Sequence, residues 1–223
     1  MPDLGPFVLT LQLAAITTVI LFALGVPLAW WLATTQSRTK PVIEAVTALP
    51  LVLPPTVIGF YLLVLLSPNT PLGSAWVTLT GDQLTFSFTG LVVASVIYSL
   101  PFMVQPLQSA FESVGRGPME AAGTLGASQL DAFATVVLPL SARGFLTAGI
   151  LSFAHTIGEF GVVLMVGGAI PGETRVISIQ IYEAVESLDY GEAHTLSALL
   201  LAFSFTVLVL VYAINRKAPL RAF

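Results

Sequence analysis

The sequence predicts an all-α integral membrane protein with about five transmembrane helices in a single transmembrane domain over residues 1–223. Of its 223 residues, 56% are hydrophobic and only 9% are charged, and the mean hydropathy is +0.92. A soluble domain carries about a quarter charged residues, so this composition excludes an ordinary water-soluble protein. Long apolar segments alternate with shorter polar ones, as expected for a chain that crosses a bilayer several times.

Five apolar segments are long enough to cross a bilayer, which takes about 20 residues for each helix. They cover approximately residues 7–33, 45–66, 87–109, 144–168 and 193–214. The connectors 67–86 and 169–191 are rich in turn-forming residues, and the first of them is predicted to be a loop. Because no basic segment precedes the first apolar stretch, we expect a retained helix there and not a cleaved signal peptide.

The second apolar segment is interrupted by proline. It contains Pro50, Pro54, Pro55 and Gly59, so its helix must be kinked or locally broken. A break at membrane depth leaves carbonyl groups that need partners from neighbouring helices or from water. Together with the polar Gln105 of the third segment, this break is a candidate lining of a transport pathway. A kink that only serves helix packing is the alternative.

An amphipathic helix is predicted within the connector 169–191. One face carries Ile177, Ile181, Val185 and Leu188, and the opposite face carries Gln180, Glu183 and Glu186. This pattern is typical of a helix that lies at the membrane surface or dips into it. The sequence leaves open whether residues 176–188 stay on the surface or re-enter the membrane.

The distribution of basic residues predicts the orientation, because Lys and Arg accumulate on the cytoplasmic side. Five spans place the two chain ends on opposite sides of the membrane. One side receives Arg38, Lys40, Arg116, Arg143, Arg216, Lys217 and Arg221, whereas the other receives only Arg175. We therefore expect the N-terminus outside and the C-terminus in the cytoplasm, on the same side as the polar segment 110–143.

Residues 117–140, GPMEAAGTLGASQLDAFATVVLPL, predict two short helices joined by a tight turn. Gly126 suits the position just past the end of the first helix. Ser128 and Asp131 form a capping box that begins the second helix, and Pro139 ends it. One face of that second helix carries Leu130, Phe133 and Val137.

This segment resembles the EAA loop of ABC importer permeases. The matching positions are Glu120, Ala121, Ala122, Gly126, Leu138 and Pro139. Val136 stands where that family usually has isoleucine. The resemblance implies the type I ABC importer permease fold, with residues 110–143 as a cytoplasmic coupling loop whose short helix sits in a groove of a separate ATPase subunit.

Residues 153–186, FAHTIGEFGVVLMVGGAIPGETRVISIQIYEAVE, are similar to the corresponding part of molybdate permeases. With the EAA-type loop, the resemblance covers about residues 105–190. It implies import of molybdate or tungstate across the cytoplasmic (inner) membrane of a prokaryote; sulfate and thiosulfate permeases, which share the G-E-[FY]-G pattern, are the alternative. The implied partners are a second copy of the chain, two ATP-binding cassette ATPase subunits, a periplasmic or lipid-anchored oxyanion-binding protein and membrane lipid, with no nucleic acid.

The chain carries no ATP-binding motif of its own. No G-x-x-x-x-G-K-[ST] sequence occurs, and the glycine-rich GGAIPGET at 167–174 has no lysine. We therefore predict a permease subunit that is not itself an enzyme and holds no cofactor, while a partner ATPase uses ATP and Mg²⁺. With two histidines and no cysteine, the chain offers too few ligands for a metal site of the usual kind.

His155 and Glu159 are the ionisable residues predicted to lie at membrane depth. Four residues apart, they would share a helix face and could approach each other as a buried polar pair. Such residues are costly in a membrane and suggest a functional site. The alternatives are a contact that fixes helix packing, or a Glu159 close enough to the outer surface to be hydrated. A hydrolase would need an orienting partner beyond Ser152 and His155, and a secondary transporter more buried ionisable groups or an inverted repeat.

Overall fold

A computed structural model of the chain describes residues 3–217, with side chains described for residues 3–209. Within that range the chain is helical and contains no β-strand, which confirms the predicted fold class. In chain order the helices are α1 (Gly5–Thr34), α2 (Lys40–Val52), α3 (Pro55–Leu66), α4 (Pro71–Thr80), α5 (Phe88–Val114), α6 (Gly117–Thr124), α7 (Gln129–Ala132), a π-helical turn (Phe133–Val137), α8 (Leu138–Leu140), α9 (Ala142–Ile157), α10 (Gly161–Gly167), α11 (Ile177–Glu186) and α12 (Tyr190–Lys217).

Three of the described helices are long and apolar enough to cross a membrane alone: α1, α5 and the Tyr190–Val209 part of α12. Two bent pairs of helices meet the same test when each pair is taken together. These pairs are α2 with α3, and the segment Gln129–Leu140 with α9. The described part of the chain therefore has three spans by length and composition, or up to five if each bent pair is one span.

Helix α5 is the centre of the bundle. It packs against α1, α9, α10 and α2. At one end of the bundle, its Phe111 joins a core cluster with the fully buried Leu32 and Val137. Trp30 packs edge-on against both Phe111 and Phe133, with ring centroids 5.3 and 5.1 Å apart. This aromatic cluster connects the polar segment that follows α5 to the rest of the helices.

The predicted break in the second apolar segment is present, because the chain bends by 113° between α2 and α3. Pro54 precedes α3 and Pro55 is its first residue, where a missing N–H costs no helical hydrogen bond. Gly59 lies at the crossing of α3 and α10. A Cβ atom added there would be 2.7 Å from Met165 Cβ and 3.3 Å from Val162 Cα. This geometry favours the packing alternative for Gly59.

The structure differs from the sequence prediction in the connector 67–86. The connector contains α4, a helix of 10 residues. Its N-terminus is capped by Thr70, whose hydroxyl accepts a hydrogen bond from the Gly73 N–H (3.1 Å). Within this turn-rich connector, Thr70 and Pro71 are thus a helix cap and the first residue of a helix.

The fourth apolar segment also differs, because it is not one helix. Helix α9 ends at Ile157, residues 158–160 are irregular, and α10 begins at Gly161. The carbonyl of Glu159 in this break accepts a hydrogen bond from the Ser178 hydroxyl (2.6 Å). The nearby α11 therefore satisfies a backbone group that the break exposes.

Helix α11 presents a different face to the protein from the one that its apolar pattern predicted. Ile177 and Gln180 are buried, whereas Val185 and Leu188 are 43% and 70% exposed. The Ile177 N–H donates to the Thr10 hydroxyl of α1 (2.9 Å). Hydrogen bonds to α1 and to the break after α9 thus determine which face of α11 is buried. The apolar pattern of α11 does not determine it.

We predict that Gly59→Ala lowers the stability of the protein by about 1–3 kcal/mol, because the new methyl group overpacks the crossing of α3 and α10. Gly123→Ala is the matched control, since this helical glycine has open space around an added Cβ. In the control, replacing a helical glycine should stabilise by up to about 1 kcal/mol. Thermal unfolding of the detergent-purified protein measures both changes. Unchanged stability of Gly59→Ala with loss of transport would favour the pathway hypothesis instead.

Candidate functional site

The turn after α6 has the geometry of a glycine-terminated helix. Gly126 has a φ of +90°, in the left-handed region that favours glycine. The Ala127 N–H donates to the Ala122 carbonyl (3.1 Å), and the Gly126 N–H donates to the Gly123 carbonyl (3.0 Å). This pair of hydrogen bonds is the Schellman arrangement, so the prediction that Gly126 follows the helix end is confirmed.

The second helix of the segment begins where the sequence predicted. The Ser128 hydroxyl accepts a hydrogen bond from the Asp131 N–H (3.2 Å) and caps α7. Pro139 does not end the helical segment at once: it lies inside α8, and the chain bends by 73° before α9. A proline ring clashes with the carbonyl four residues earlier, here that of Thr135. The wider π-helical turn at Phe133–Val137 accommodates it.

Two leucines protrude from this hairpin. Leu125 is 89% exposed and Leu130 is 83% exposed, more than the other large apolar side chains of the segment. The sequence placed Leu130 on one face with Phe133 and Val137. The structure shows that Val137 is buried and Phe133 packs against Trp30, whereas Leu130 points to solvent. Sequence reasoning did not single out Leu125, although its position just before a turn glycine was a usable signal.

The matched EAA positions lie on the outside of the hairpin. Glu120 and Ala121 are exposed, Ala122 is partly exposed, and Leu138 and Pro139 are exposed on the second half. Behind them, Met119 and Phe133 pack onto the aromatic cluster of α1 and α5. The hairpin therefore combines an accessible surface that includes apolar side chains with a buried base, an arrangement suited to binding another protein.

The structure does not bring His155 and Glu159 together as a hydrogen-bonded pair. His155 Nδ1 lies 3.0 Å from the Ser99 hydroxyl, and its ring stacks on Phe102 with centroids 3.9 Å apart. Glu159 lies beyond the end of α9, so the shared helix face that the sequence predicted does not exist. Gly158 and Gly161 on either side of Glu159–Phe160 were the signal for this break.

Glu159 is a buried carboxylate without a hydrogen bond. Its side chain is 4% exposed, and neither of its carboxylate oxygens has a hydrogen-bond partner among the described residues. The fully buried Ser95 hydroxyl, which likewise makes no hydrogen bond there, is close enough to interact with it. A buried charge without a partner is costly. The Glu159 side chain thus lies between α5 and the break after α9, away from solvent.

Gln105 lies in a different place from the residues of the proline break. It lines a cavity of about 350 Å³ between α2 and α5, to which Pro54, Pro55 and Gly59 do not contribute. A polar network borders this cavity. In it, Gln108 Nε2 donates to Glu44 (2.7 Å) and Glu112 (3.0 Å), and Lys40 forms ion pairs with Glu44 (3.6 Å) and Glu112 (3.4 Å). Gln105 therefore lies apart from the three residues of the proline break with which the sequence grouped it.

Among the described residues, no group of three or more His, Cys, Asp or Glu side chains could hold a metal ion.

Comparison with known proteins gives matches over most of the chain. The family model described as "Binding-protein-dependent transport system inner membrane component" matches residues 25–218. The molybdenum transport system permease protein ModB of Azotobacter vinelandii is 56% identical over 96% of this chain and 95% of its own length. The sulfate transport system permease protein CysT of Escherichia coli K12 is 32% identical over 92% of this chain and 73% of its own length.

The fold also has solved counterparts. A bacterial ABC transporter that imports the acidic polysaccharide alginate aligns with a TM-score of 0.78 at 16% identity, over 96% of this chain and 79% of that one. The same transporter in complex with an alginate-bound periplasmic protein aligns with a TM-score of 0.77 at 16% identity, over 96% of this chain and 78% of that one. At this identity the likeness concerns the fold alone.

We predict that Glu159→Gln keeps assembly and most transport, because the amide preserves the shape and can donate a hydrogen bond to Ser95 while removing the buried charge. Its thermal stability should equal or exceed that of the wild type by about 1 kcal/mol. Glu159→Leu should lower stability and impair assembly, since the branched side chain changes the shape of the site and removes the interaction with the Ser95 hydroxyl. Unfolding curves and uptake by the assembled complex measure these effects. Lost transport in a normally assembled Gln variant would show that the charge itself matters.

Proposed function

The chain belongs to the family of binding-protein-dependent transport system inner membrane components, and we propose that it is the permease subunit of an ABC importer for molybdate or tungstate. The observation that carries the substrate class is the 56% identity to the molybdenum permease of Azotobacter vinelandii over 96% of the chain. The sulfate permease, the alternative, is 32% identical. Molybdate and tungstate are tetrahedral dianions of nearly equal size and require almost the same contacts, so the proposal covers both.

The proposed partners follow from the chemistry that the chain lacks. It has no phosphate-binding loop, so a separate pair of ATPase subunits supplies the energy. The hairpin of α6 and α7 docks on them, with Leu125 and Leu130 as apolar anchors and Glu120 at the exposed start of α6. A second copy of the chain completes the pathway. A binding protein delivers the oxyanion from outside, which is supported by the periplasmic protein bound to the structurally similar alginate transporter.

The proposed orientation has the N-terminus outside and the hairpin in the cytoplasm. Arg175, the basic residue assigned to the outer side, forms an ion pair with Asp3 near the N-terminus (3.6 Å). Lys40, assigned to the inner side, pairs with Glu112 near the end of α5 (3.4 Å). The basic residues thus separate between the two ends of the bundle, which supports the orientation. The side chains of Arg216 and Lys217 and the whole of Arg221 lie outside the described residues.

Uptake into proteoliposomes tests the proposed function. The complete complex, with its ATPase subunits and binding protein, should take up labelled molybdate when ATP is enclosed on the side of the hairpin. Unlabelled tungstate should compete at concentrations similar to those of unlabelled molybdate, whereas a hundredfold excess of sulfate should not. Uptake of sulfate in preference to molybdate would contradict the substrate assignment and favour the alternative.

We predict that Gly126→Val abolishes uptake while the protein still reaches the membrane. Gly126 has positive φ, so a β-branched side chain costs at least about 1–2 kcal/mol in that conformation and displaces the hairpin. Co-purification of the ATPase subunit should weaken. Gly81→Val is the matched control, because Gly81 has a similar φ of +82° and open space around it, but lies at the end of α4. Normal ATPase binding and uptake by Gly126→Val would remove the hairpin from the mechanism.

A further inference from the structure

A hydrogen-bonded network of polar groups connects α5 and α9 near the middle of the bundle. Its members are His155, Ser99, Thr156 and the carbonyl of Ser152. Ser99 lies near the centre of α5, which is 27 residues long, so the network lies at membrane depth. Ser99 and Thr156 are buried, whereas the His155 ring is only partly buried.

The hydrogen bonds of this network all donate in the same direction, from His155 toward the Ser152 carbonyl. The Thr156 hydroxyl donates its single proton to the Ser152 carbonyl (2.9 Å). In its contact with Ser99 (3.1 Å) Thr156 is therefore the acceptor and Ser99 the donor. With its own proton committed, Ser99 must accept from His155 Nδ1 (3.0 Å). The proton of His155 thus lies on Nδ1, and the ring orientation is fixed from the protein side.

The opposite nitrogen, Nε2, makes no hydrogen bond to a described residue, and His155 is only partly buried, so Nε2 is left for whatever lies beside the ring. Tyr98 and Phe102 hold the ring, with centroids 4.9 and 3.9 Å from that of His155. Both belong to a row on α5 that continues one turn further to Gln105, whose side chain is exposed. Exposed polar groups at membrane depth face a water-filled space or another protein surface and do not face lipid. The row therefore borders an aqueous path or the second copy.

We propose that His155 lines the anion path and presents Nε2 to the passing oxyanion, with Ser99 as the residue that positions it. This inference rests on the proposed function. A neutral ring accepts a hydrogen bond from a water molecule whose other proton bonds to an anion oxygen, and a protonated ring donates to the anion directly. Either contact is single and exposed, so it eases passage without trapping the ion.

Two substitutions at His155 separate a path contact from a structural role. In His155→Asn the amide nitrogen takes the place of Nδ1, so the Ser99 bond remains and Nε2 is lost. In His155→Gln the amide takes the place of Nε2, so a donor faces the path and the Ser99 bond is lost. Uptake by the complete complex should fall about tenfold for Asn and less than about threefold for Gln. Both variants lose the ring that stacks on Phe102, but thermal stability should fall further for Gln, because only Gln also loses the Ser99 bond. Full uptake by the Asn variant, or equal losses in both, would overturn the proposal.

Thiol accessibility gives a second measurement that does not depend on activity. The chain contains no cysteine, so His155→Cys carries the only thiol of this subunit. In the assembled complex, resting or hydrolysing ATP, an anionic methanethiosulfonate reagent should modify it, and molybdate should slow the reaction. Ser152→Cys, on the buried side of the same helix, should not react. A thiol at 155 that stays unmodified in both states, in a complex that imports molybdate, would overturn the inference. Modification of the thiol, when the complex with the unsubstituted chain imports no molybdate, would instead count against the proposed function.

Discussion

Irregular backbone inside a membrane must find its hydrogen bonds within the protein, and the architecture depends on how two such breaks are satisfied. At the first, Leu53–Pro54, the prolines have no N–H to satisfy, and the Pro54 carbonyl accepts a hydrogen bond from the Val57 N–H (2.9 Å). The second, at residues 158–160, exposes the Glu159 carbonyl, and Ser178 of α11 bonds to it. Helix α11 is fixed in turn by the hydrogen bond from Ile177 to Thr10 of α1. An amphipathic segment that could have lain on the membrane surface is thereby joined to the core.

The coupling role proposed for the hairpin of α6 and α7 requires the hairpin to be stiff, and its stiffness has identifiable sources. The Gly126 turn closes with two backbone hydrogen bonds, and Ser128 caps the next helix. Phe133 then packs against Trp30, so the π-helical turn rests on the aromatic cluster of α1 and α5. The hairpin is therefore joined to the long helices through packed aromatic rings, which resist deformation, as the proposed coupling role requires.

The hairpin could be predicted from the sequence because its signals act over a few residues. The hydrogen-bonded network of His155 and Ser99 could not, because it depends on how distant helices pack. A turn glycine and a serine cap act within a few residues, so Gly126 and Ser128 were assigned correctly. Ser99, the hydrogen-bond partner of His155, lies 56 positions away on another helix, and no spacing rule identifies it. The i,i+4 rule failed for His155 and Glu159 because it presumes an unbroken helix. Likewise Gln180 is buried because hydrogen bonds and packing, not apolar periodicity, orient α11.

With His155 on the anion path, as proposed above, the break after α9 also decides which ionisable group an anion can approach. Had α9 continued for one more turn, Glu159 would lie above His155 on the same face and place a carboxylate beside the path. Instead the chain turns, Glu159 is 4% exposed next to Ser95, and His155 is only partly buried. By sequence, no Lys or Arg lies between residues 41 and 115 or between 144 and 174. An importer of dianions built in this way has no fixed cation to trap its substrate. Removing the carboxylate from the path then matters more than adding a positive charge, because a single exposed negative charge would oppose a dianion with nothing nearby to offset it.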